Sequence, residues 1–304
     1  PFAGPDMTPE LVVAHYGPVA AGLTWVPVGG GFSGAAVWRG TAPAGMPVLA
    51  LKAWPPDFAA ARLRAIHAHV ALLSHLDFVP RIHATREGDT VIEADGRVWD
   101  LSTWVAGKPE HGVPSAARVE AAAVALAAVH AAWRPLAAPP GPAPAVLRRL
   151  KVLANWDSTR ADRRREYPAG PFGDAVGRAV ALLSPLVADA WEALQPWSMQ
   201  QLPLQPCLVD VWPEHVHFDG NRVAGLIDFG AVQDDHVGAD LARLFAGFPG
   251  PDALPAALAA YRAGGGILAE PDAFVRLLAH TGVVCGAAAW VVRAHTGLVP
   301  ADPA

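Results

Sequence analysis

Apolar and polar positions in the first third of the chain fall into short runs. Leu23 to Val28 runs into a glycine cluster, Ala35 to Arg39 is short and apolar, and a turn-rich stretch from Thr41 to Pro47 leads to the apolar run Val48 to Trp54. Runs of this length, bounded by Gly and Pro, predict strands joined by turns. Between Asp57 and Leu76 the period changes: Phe58, Leu63, Ile66, Val70, Leu73 and Leu76 recur at helical spacing and predict an amphipathic helix. Strands are predicted again at Arg81 to Thr85, Thr90 to Glu93 and Arg97 to Val105, and Ala106-Gly107-Lys108-Pro109 breaks the pattern as a linker.

Beyond the break the pattern becomes helical. Ser115 to Trp133 is Ala-rich with Ser115 as a capped start, Pro135 to Pro144 is a connector, and Ala145 to Arg165 and Gly173 to Leu194 are further helices. Strands return between Cys207 and Phe229, and the rest of the chain is helical. The window Leu277 to Val292 is the most apolar, but it is shorter than the about 20 residues needed to span a bilayer and reads as a buried helix. At 304 residues and 52% hydrophobic, the chain has room for two lobes, divided here as 1–104 and 105–304.

Charge narrows the partners. Lys and Arg number 23 against 28 Asp and Glu, a formal net of −5, which argues against nucleic acid as a partner. Two cysteines, Cys207 and Cys285, offer no disulfide framework and fit a reducing compartment. Residues 1–9 lack a basic stretch followed by an apolar run, so no signal peptide is expected and the predicted location is cytoplasmic, away from membranes. Only Lys52, Lys108 and Lys151 are lysines, fewer than the 11 Trp. This chain uses Arg for ordinary surface charge.

That scarcity draws attention to Lys52, at the end of the apolar run Val48-Leu49-Ala50-Leu51. Upstream, Gly29-Gly30-Gly31-Phe32-Ser33-Gly34 satisfies G-x-G-x-x-G, but a strand rather than a helix follows, so it does not fit a dinucleotide fold. Ala35 and Ala36 stand where a P-loop needs Lys and Ser/Thr. What remains is either a plain hairpin turn or a glycine loop whose backbone N–H groups cover nucleotide phosphates, with Lys52 behind it as a strand-end charge or a phosphate ligand. The following helix has His67 and other basic residues but no carboxylate until Asp77.

The richest stretch runs from Cys207 to Gly230. Asp219-Gly220-Asn221 reads as a hairpin turn between two strands, and such a hairpin could bring Asp210 and Asp228 to the same edge. There one carboxylate could take a hydroxyl proton and the other hold Mg2+; as plain structure, Asp210 could be a cap and Asp228 a turn residue. His215 and His217 alternate, so both could face one side and chelate a metal.

With these residues in place, the chain resembles the aminoglycoside phosphotransferase and choline kinase-like family. The resemblance is strongest over Val216-His217-Phe218-Asp219-Gly220-Asn221-Arg222-Val223-Ala224-Gly225-Leu226-Ile227-Asp228-Phe229-Gly230 and the following Asp240-Leu241-Ala242-Arg243. It implies an α+β, bilobal protein-kinase-like fold, with an N-terminal antiparallel sheet plus one helix and a mostly helical C-terminal lobe. It also implies Asp210 as the catalytic base, Asp228 as the metal ligand and Asp240 as a brace for the catalytic loop. Two positions depart from the family pattern: Leu208 replaces a His two residues before the base, and His215 replaces an Asn five residues after it. An imidazole nitrogen there suits Mn2+ or a softer ion better than Mg2+.

The expected function is transfer of the γ-phosphoryl group of ATP to a hydroxyl of a small molecule. Gly29, Gly30, Gly31, Phe32, Ser33, Gly34 and Lys52 hold the nucleotide, Asp228 and His215 hold Mg2+ or another divalent ion, and Ser102 to Val105 meets the adenine. A nucleotide-binding protein with little activity is the alternative that accounts for Leu208, His215 and the missing helix Glu. A hydrolase built on Asp210, His215, His217 and Asp228 is a third reading, which leaves Lys52 unexplained. The acceptor and the oligomeric state are not legible in the sequence. Asp234-Asp235-His236 is open between a cation site and a solvated loop, and Arg160, Arg163, Arg164 and Arg165 read as a charged helix face.

Overall fold

The computed structural model describes residues 9–28, 34–162 and 170–295. In chain order it opens with α1 (Pro9–Val13), β1 (Thr24–Val28), β2 (Ala36–Thr41), β3 (Pro47–Ala53), α2 (Ala60–Ala71), β4 (Ile92–Ala94), β5 (Arg97–Thr103) and β6 (Lys108–Pro109). There follow α3 (Ala116–Trp133), β7 (Ala138–Gly141), α4 (Pro144–Asp162), α5 (Pro171–Leu194), β8 (Leu202–Cys207), β9 (Val216–Asp219), β10 (Arg222–Leu226) and β11 (Gln233–Asp235). Three helices close the chain: α6 (Gly238–Gly247), α7 (Leu254–Ala263) and α8 (Asp272–His295). The chain forms two compact units, one of Pro1–His111 with Glu214–Val232, the other of Gly112–Pro213 with Gln233–Ala304.

The first unit is built on an antiparallel five-stranded sheet in the order β1-β2-β3-β5-β4. Period-two alternation sorts its side chains. Leu49, Leu51 and Ala53 of β3 enter a core with Trp38, Trp99 and Leu101, covered by Val12 and Tyr16, and Trp38 stacks on Trp99 at 5.3 Å between centroids. Ala50 and Lys52 therefore project from the opposite face. There Trp54, Leu63, Val91 and Val98 form a second cluster, and α2 buries Leu63, Ile66, His67 and Val70.

Two predicted strands differ. Arg81 to Thr85 makes only an isolated bridge, Ile82 to Ser102, flanked by the Thr103 N–H to Arg81 carbonyl and His83 N–H to Leu101 carbonyl bonds. The strand expected at Thr90 to Glu93 is Ile92–Ala94, shifted toward the Asp95-Gly96 turn, where Asp95 has φ 51°.

Glu214–Val232 belongs with the first unit because β9 pairs with both β10 and β6. The expected boundary at 104/105 thus differs from the observed division. Gly107 makes the β6–β9 approach possible: its φ is +81°, and a Cβ there would lie 2.7 Å from the Phe218 carbonyl oxygen. Gly107→Ala is expected to cost about 1–3 kcal/mol from backbone strain and overpacking. Urea unfolding checks it; an unchanged midpoint would remove β6 from the packing that holds the hairpin.

In the second unit α8 packs against α4, α5 and α6, while α3 packs against α7. Ser115 caps α3 as predicted, accepting from the Arg118 N–H. Trp133, Trp156, Tyr261 and Phe274 are fully buried. The connector Pro135 to Pro144 contains β7, which joins β8 and β11 in a small antiparallel sheet. The apolar window at Leu277 to Val292 is part of a 24-residue helix, longer than its sequence suggested because Asp272 and the amphipathic first turns extend it. By length and composition alone, α3 and α8 could each cross a membrane; here Phe274, Val275, Leu278, Val284 and Ala288 of α8 are buried in the unit.

Candidate functional site

The glycine stretch is bounded by the antiparallel pair β1 and β2, in register from Thr24–Thr41 to Val28–Val37. Gly29, Gly30, Gly31, Phe32 and Ser33 lie outside the described residues. Gly34 has φ +73°, and its carbonyl accepts from Arg97 at 3.2 Å. The first unit contains a cavity of about 360 Å³ lined by Val28, Ala50, Lys52, Trp54, Ser102 to Val105 and Asp228. The candidate hinge and the candidate phosphate lysine thus face one space.

Lys52 Nζ lies 3.4 Å from Asp228 Oδ1 and 3.8 Å from the centroid of the Trp54 ring. These contacts fix a flexible ammonium between a carboxylate and an aromatic face. Asp228 follows β10 with φ 65°, a conformation that costs a non-Gly residue energy and is held only where surroundings enforce it. Burial opposes its ionisation, but the charges of Lys52 and His215, with hydrogen bonds from Lys52 and the Gly230 N–H, win and hold its pKa below the ordinary carboxylate value.

His215 Nε2 lies 3.8 Å from Asp228 Oδ2. The Nδ1 atoms of His215 and His217 are buried without a hydrogen-bond partner. Burial first, and then neighbouring His215, lowers the His217 pKa and favours its neutral form. A carboxylate oxygen beside a half-buried imidazole could hold a divalent cation, and the mixed O/N set suits Mn2+ better than the all-oxygen preference of Mg2+.

Sequence reasoning found no carboxylate partner for Lys52 on the helix. The sheet does place a carboxylate beside Lys52 in register. Asp100 on β5 is the direct cross-strand partner of Lys52, on the same face, and both line the cavity. The helix contributes His67, whose Nε2 meets Asp100 Oδ2 at 2.9 Å while Nδ1 meets the Thr90 hydroxyl at 2.8 Å. Asp100 and His67 are 7% and 5% exposed, so the link is shielded from solvent. The signal was the isolated Asp in the apolar strand Val98-Trp99-Asp100-Leu101.

Asp210 is placed differently from the expectation. Asp219 and Arg222 do flank a tight β9–β10 hairpin, but β9 starts at Val216, and Pro213–His215 is a 3-10 turn. Pro213 breaks the extended run, so Asp210 belongs to the loop after β8 in the second unit and Asp228 to the first. His215 lies in the turn rather than beside His217 on a strand. The hydrolase reading loses the hairpin that would have carried all four of its residues.

Within the second unit Asp210 is 48% exposed at its side chain and 3.3 Å from Arg243 Nη2. Trp212 Nε1 donates to it at 3.0 Å. Both contacts fall on Oδ1. The preceding Val209 has φ 65°, a genuine outlier for a β-branched residue. Asp240 enforces it, with Oδ1 accepting from the Val209 N–H and Oδ2 from the Leu208 N–H, each at 2.7 Å. Asp240 Oδ2 also meets His130 Nε2 at 3.0 Å, and His130 Nδ1 meets the Tyr261 hydroxyl at 2.9 Å. Leu208, buried to 1% exposure, fills space by packing.

His130, Cys207 and Asp240 lie close enough together to suggest a metal trio. His130 and Asp240 are already used in this brace, Cys207 Sγ donates to the Asp235 carbonyl at 3.4 Å, and burial pushes the Cys207 thiol pKa well up, away from the thiolate a metal needs. The open Asp234-Asp235-His236 cluster is structural: Asp235 pairs with Arg148 at 2.5 Å and accepts from the Ala145 N–H, and His236 meets Glu270 at 2.6 Å. The side chains of Arg160, Arg163, Arg164 and Arg165 lie outside the described residues.

The sequence profile of the phosphotransferase enzyme family, APH, matches residues 24–276. Solved structures share the kinase-like fold. A spectinomycin phosphotransferase in complex with ADP and spectinomycin is 11% identical, with TM-score 0.67, covering 94% of this chain and 87% of its own. An amicoumacin kinase in complex with AMP-PNP and Ca2+ is 12% identical, with TM-score 0.64, covering 96% and 89%. A macrolide 2′-phosphotransferase from Brachybacterium faecium is 18% identical, with TM-score 0.57, covering 95% and 90%. No curated protein sequence matches significantly.

Proposed function

Because the chain belongs to the phosphotransferase enzyme family, we propose that it transfers the γ-phosphoryl group of ATP to a hydroxyl of a small molecule. The observation that carries this reading is the approach of Lys52 to Asp228 at 3.4 Å on the wall of the first unit's cavity. A strand lysine for the phosphates and an aspartate for a divalent ion are the two charges phosphoryl transfer needs most.

In this reading Gly29 to Gly34 cover the phosphates, Lys52 neutralises them, and Ser102 to Val105 meet the adenine. The acceptor oxygen forms a bond to the γ-phosphorus as the bond to the β–γ bridging oxygen breaks, ADP departs, and the hydroxyl proton passes to Asp210. Both described contacts of Asp210 fall on Oδ1, which leaves Oδ2 for that proton. Asp228 and His215 would hold the divalent ion, which when bound supplies charge neutralisation at the phosphates. Asp228 and Trp54 position Lys52. The free, buried cysteines suit a reducing, cytoplasmic setting.

A nucleotide-binding protein of little activity is the second reading, favoured by Leu208 and His215 standing at the two departing positions. Thermal unfolding with ATP, with and without Mg2+ or Mn2+, separates binding from turnover. ATP at about 100 times its Kd stabilises a binding protein by about 2.7 kcal/mol. The metal-dependent part of that stabilisation is expected to vanish in Asp228→Ala, and Mn2+ to support more of it than Mg2+. An Asp228→Ala protein with unchanged metal-dependent stabilisation would sink the site; ATP binding without turnover over a panel of hydroxyl acceptors would leave the inactive reading.

A further inference from the structure

We propose that the phosphoryl acceptor of this chain is a hydroxy carboxylate, an anion with an apolar body, bound in a cavity of the second unit beside Asp210 with its carboxylate on Arg149. The inference deepens the phosphotransferase reading and rests on it for the fate of the hydroxyl.

The cavity has a volume of about 530 Å³. Among the described residues, Arg148, Arg149, Arg243 and Arg293 line it and no Asp or Glu does. A polycation would find no counter-charge on such walls. Two of these arginines are already neutralised: Arg148 by Asp235 and Arg243 by Asp210. Arg149 is different. Its guanidinium donates only to the carbonyls of Ala145 at 2.9 Å and Leu278 at 3.2 Å, and its buried Nε has no partner. Burial is the largest cause that brings its pKa down to about 10, and Arg243 and Arg148 add repulsion. A buried cation held by neutral dipoles is costly unless an anion completes its shell.

The number of spare charges selects the ligand. One uncompensated guanidinium matches a monoanion, and its planar donors match a carboxylate. Arg293 lies over Trp290 at 5.3 Å. Small residues on α8 make the room: a Cβ on Gly282 would stand 3.4 Å from Arg149 Nη2. Trp212 and Trp290, 41% and 48% exposed, offer flat apolar surfaces for the body of the molecule. Val209, Trp212 and Arg243 line the cavity, and the last two touch the Asp210 carboxylate. Arg149 and the two side chains that touch the proposed base thus share one cavity.

Calorimetric titration of the full chain with 4-(hydroxymethyl)benzoate and with its neutral amide tests the inference. The carboxylate is expected to bind at least about 10-fold more tightly, and Arg149→Gln to reduce that preference to less than about 2-fold. Should Arg149→Gln fail to fold, Gly282→Asp, whose Cβ would stand 3.4 Å from Arg149 Nη2, supplies an internal counter-charge and is expected to lower the same preference several-fold. Equal or absent binding of both compounds, a preference that survives substitution, or tighter binding of a polycationic aminoglycoside would overturn it. Nucleotide binding is measured separately: carboxylate selectivity in a protein that ignores ATP would refute the phosphotransferase reading and leave the anion site standing.

Discussion

Asp210→Asn is expected to lower kcat by about 10²–10⁴-fold, the range for removing a positioned general base, with nucleotide affinity unchanged. The substitution keeps the shape and the Oδ1 acceptor for Trp212, but removes the atom that can take the hydroxyl proton. Fold and nucleotide site should survive. The Asp210–Arg243 pair is half exposed, so its loss costs no more than about 1 kcal/mol, and Arg243 keeps its bond to the Val209 carbonyl at 2.9 Å. Single-turnover phosphoryl transfer, read beside the ATP-induced thermal shift, checks both halves. A variant within about 10-fold of the parent rate would make Asp210 a positioning group at most, and a matching fall in ATP affinity would place its role in binding rather than proton transfer.

Much of this site was legible because its signals are local. Lys52 stood out against a chain that avoids lysine, and Asp228-Phe229-Gly230 followed a buried strand. Both proved to meet. The alternation of β3 was enough to place Lys52 on the face opposite Leu51. What the sequence hid depends on register. Nothing in the spacing of Lys52 and Asp100 states that β3 and β5 are neighbours in the sheet, and that pairing makes Asp100 the cross-strand partner of Lys52. His67 was read as a basic helix residue, yet it carries the helix end of a buried bond to that carboxylate. The hairpin was overextended for a local reason: apolar alternation continues through Val209 and Val211, and only Pro213 and the left-handed turn at Val209 break it. Arg149 gave no signal, since its environment is made by α4 and α8 from distant parts of the chain.

That left-handed turn leads to the second large effect, on stability. Asp240→Ala is expected to destabilise the protein by about 3–5 kcal/mol, the usual result of removing one partner from a buried charged network. Asp240 is fully buried, and three donors converge on it: the N–H groups of Leu208 and Val209, and His130. Alanine satisfies none of them. The Val209 backbone at φ 65° also keeps its strain of about 1–3 kcal/mol without the bonds that offset it in the native network. Those two costs make different predictions in a second substitution. Val209→Gly removes the penalty of the left-handed conformation, so in the Asp240→Ala background it should recover about 1 kcal/mol, while the desolvated N–H groups remain unpaired. Urea unfolding of the single and double variants measures both; Asp240→Asn, which keeps one acceptor, serves where Asp240→Ala does not fold. A loss below about 1 kcal/mol would show that water reaches these donors and that Asp240 does not brace the loop. Full recovery by Val209→Gly would assign the whole effect to backbone strain. With the expected partial recovery, the carboxylate acts by fixing the path of the chain into Asp210, which is why its removal should lower kcat as well as stability.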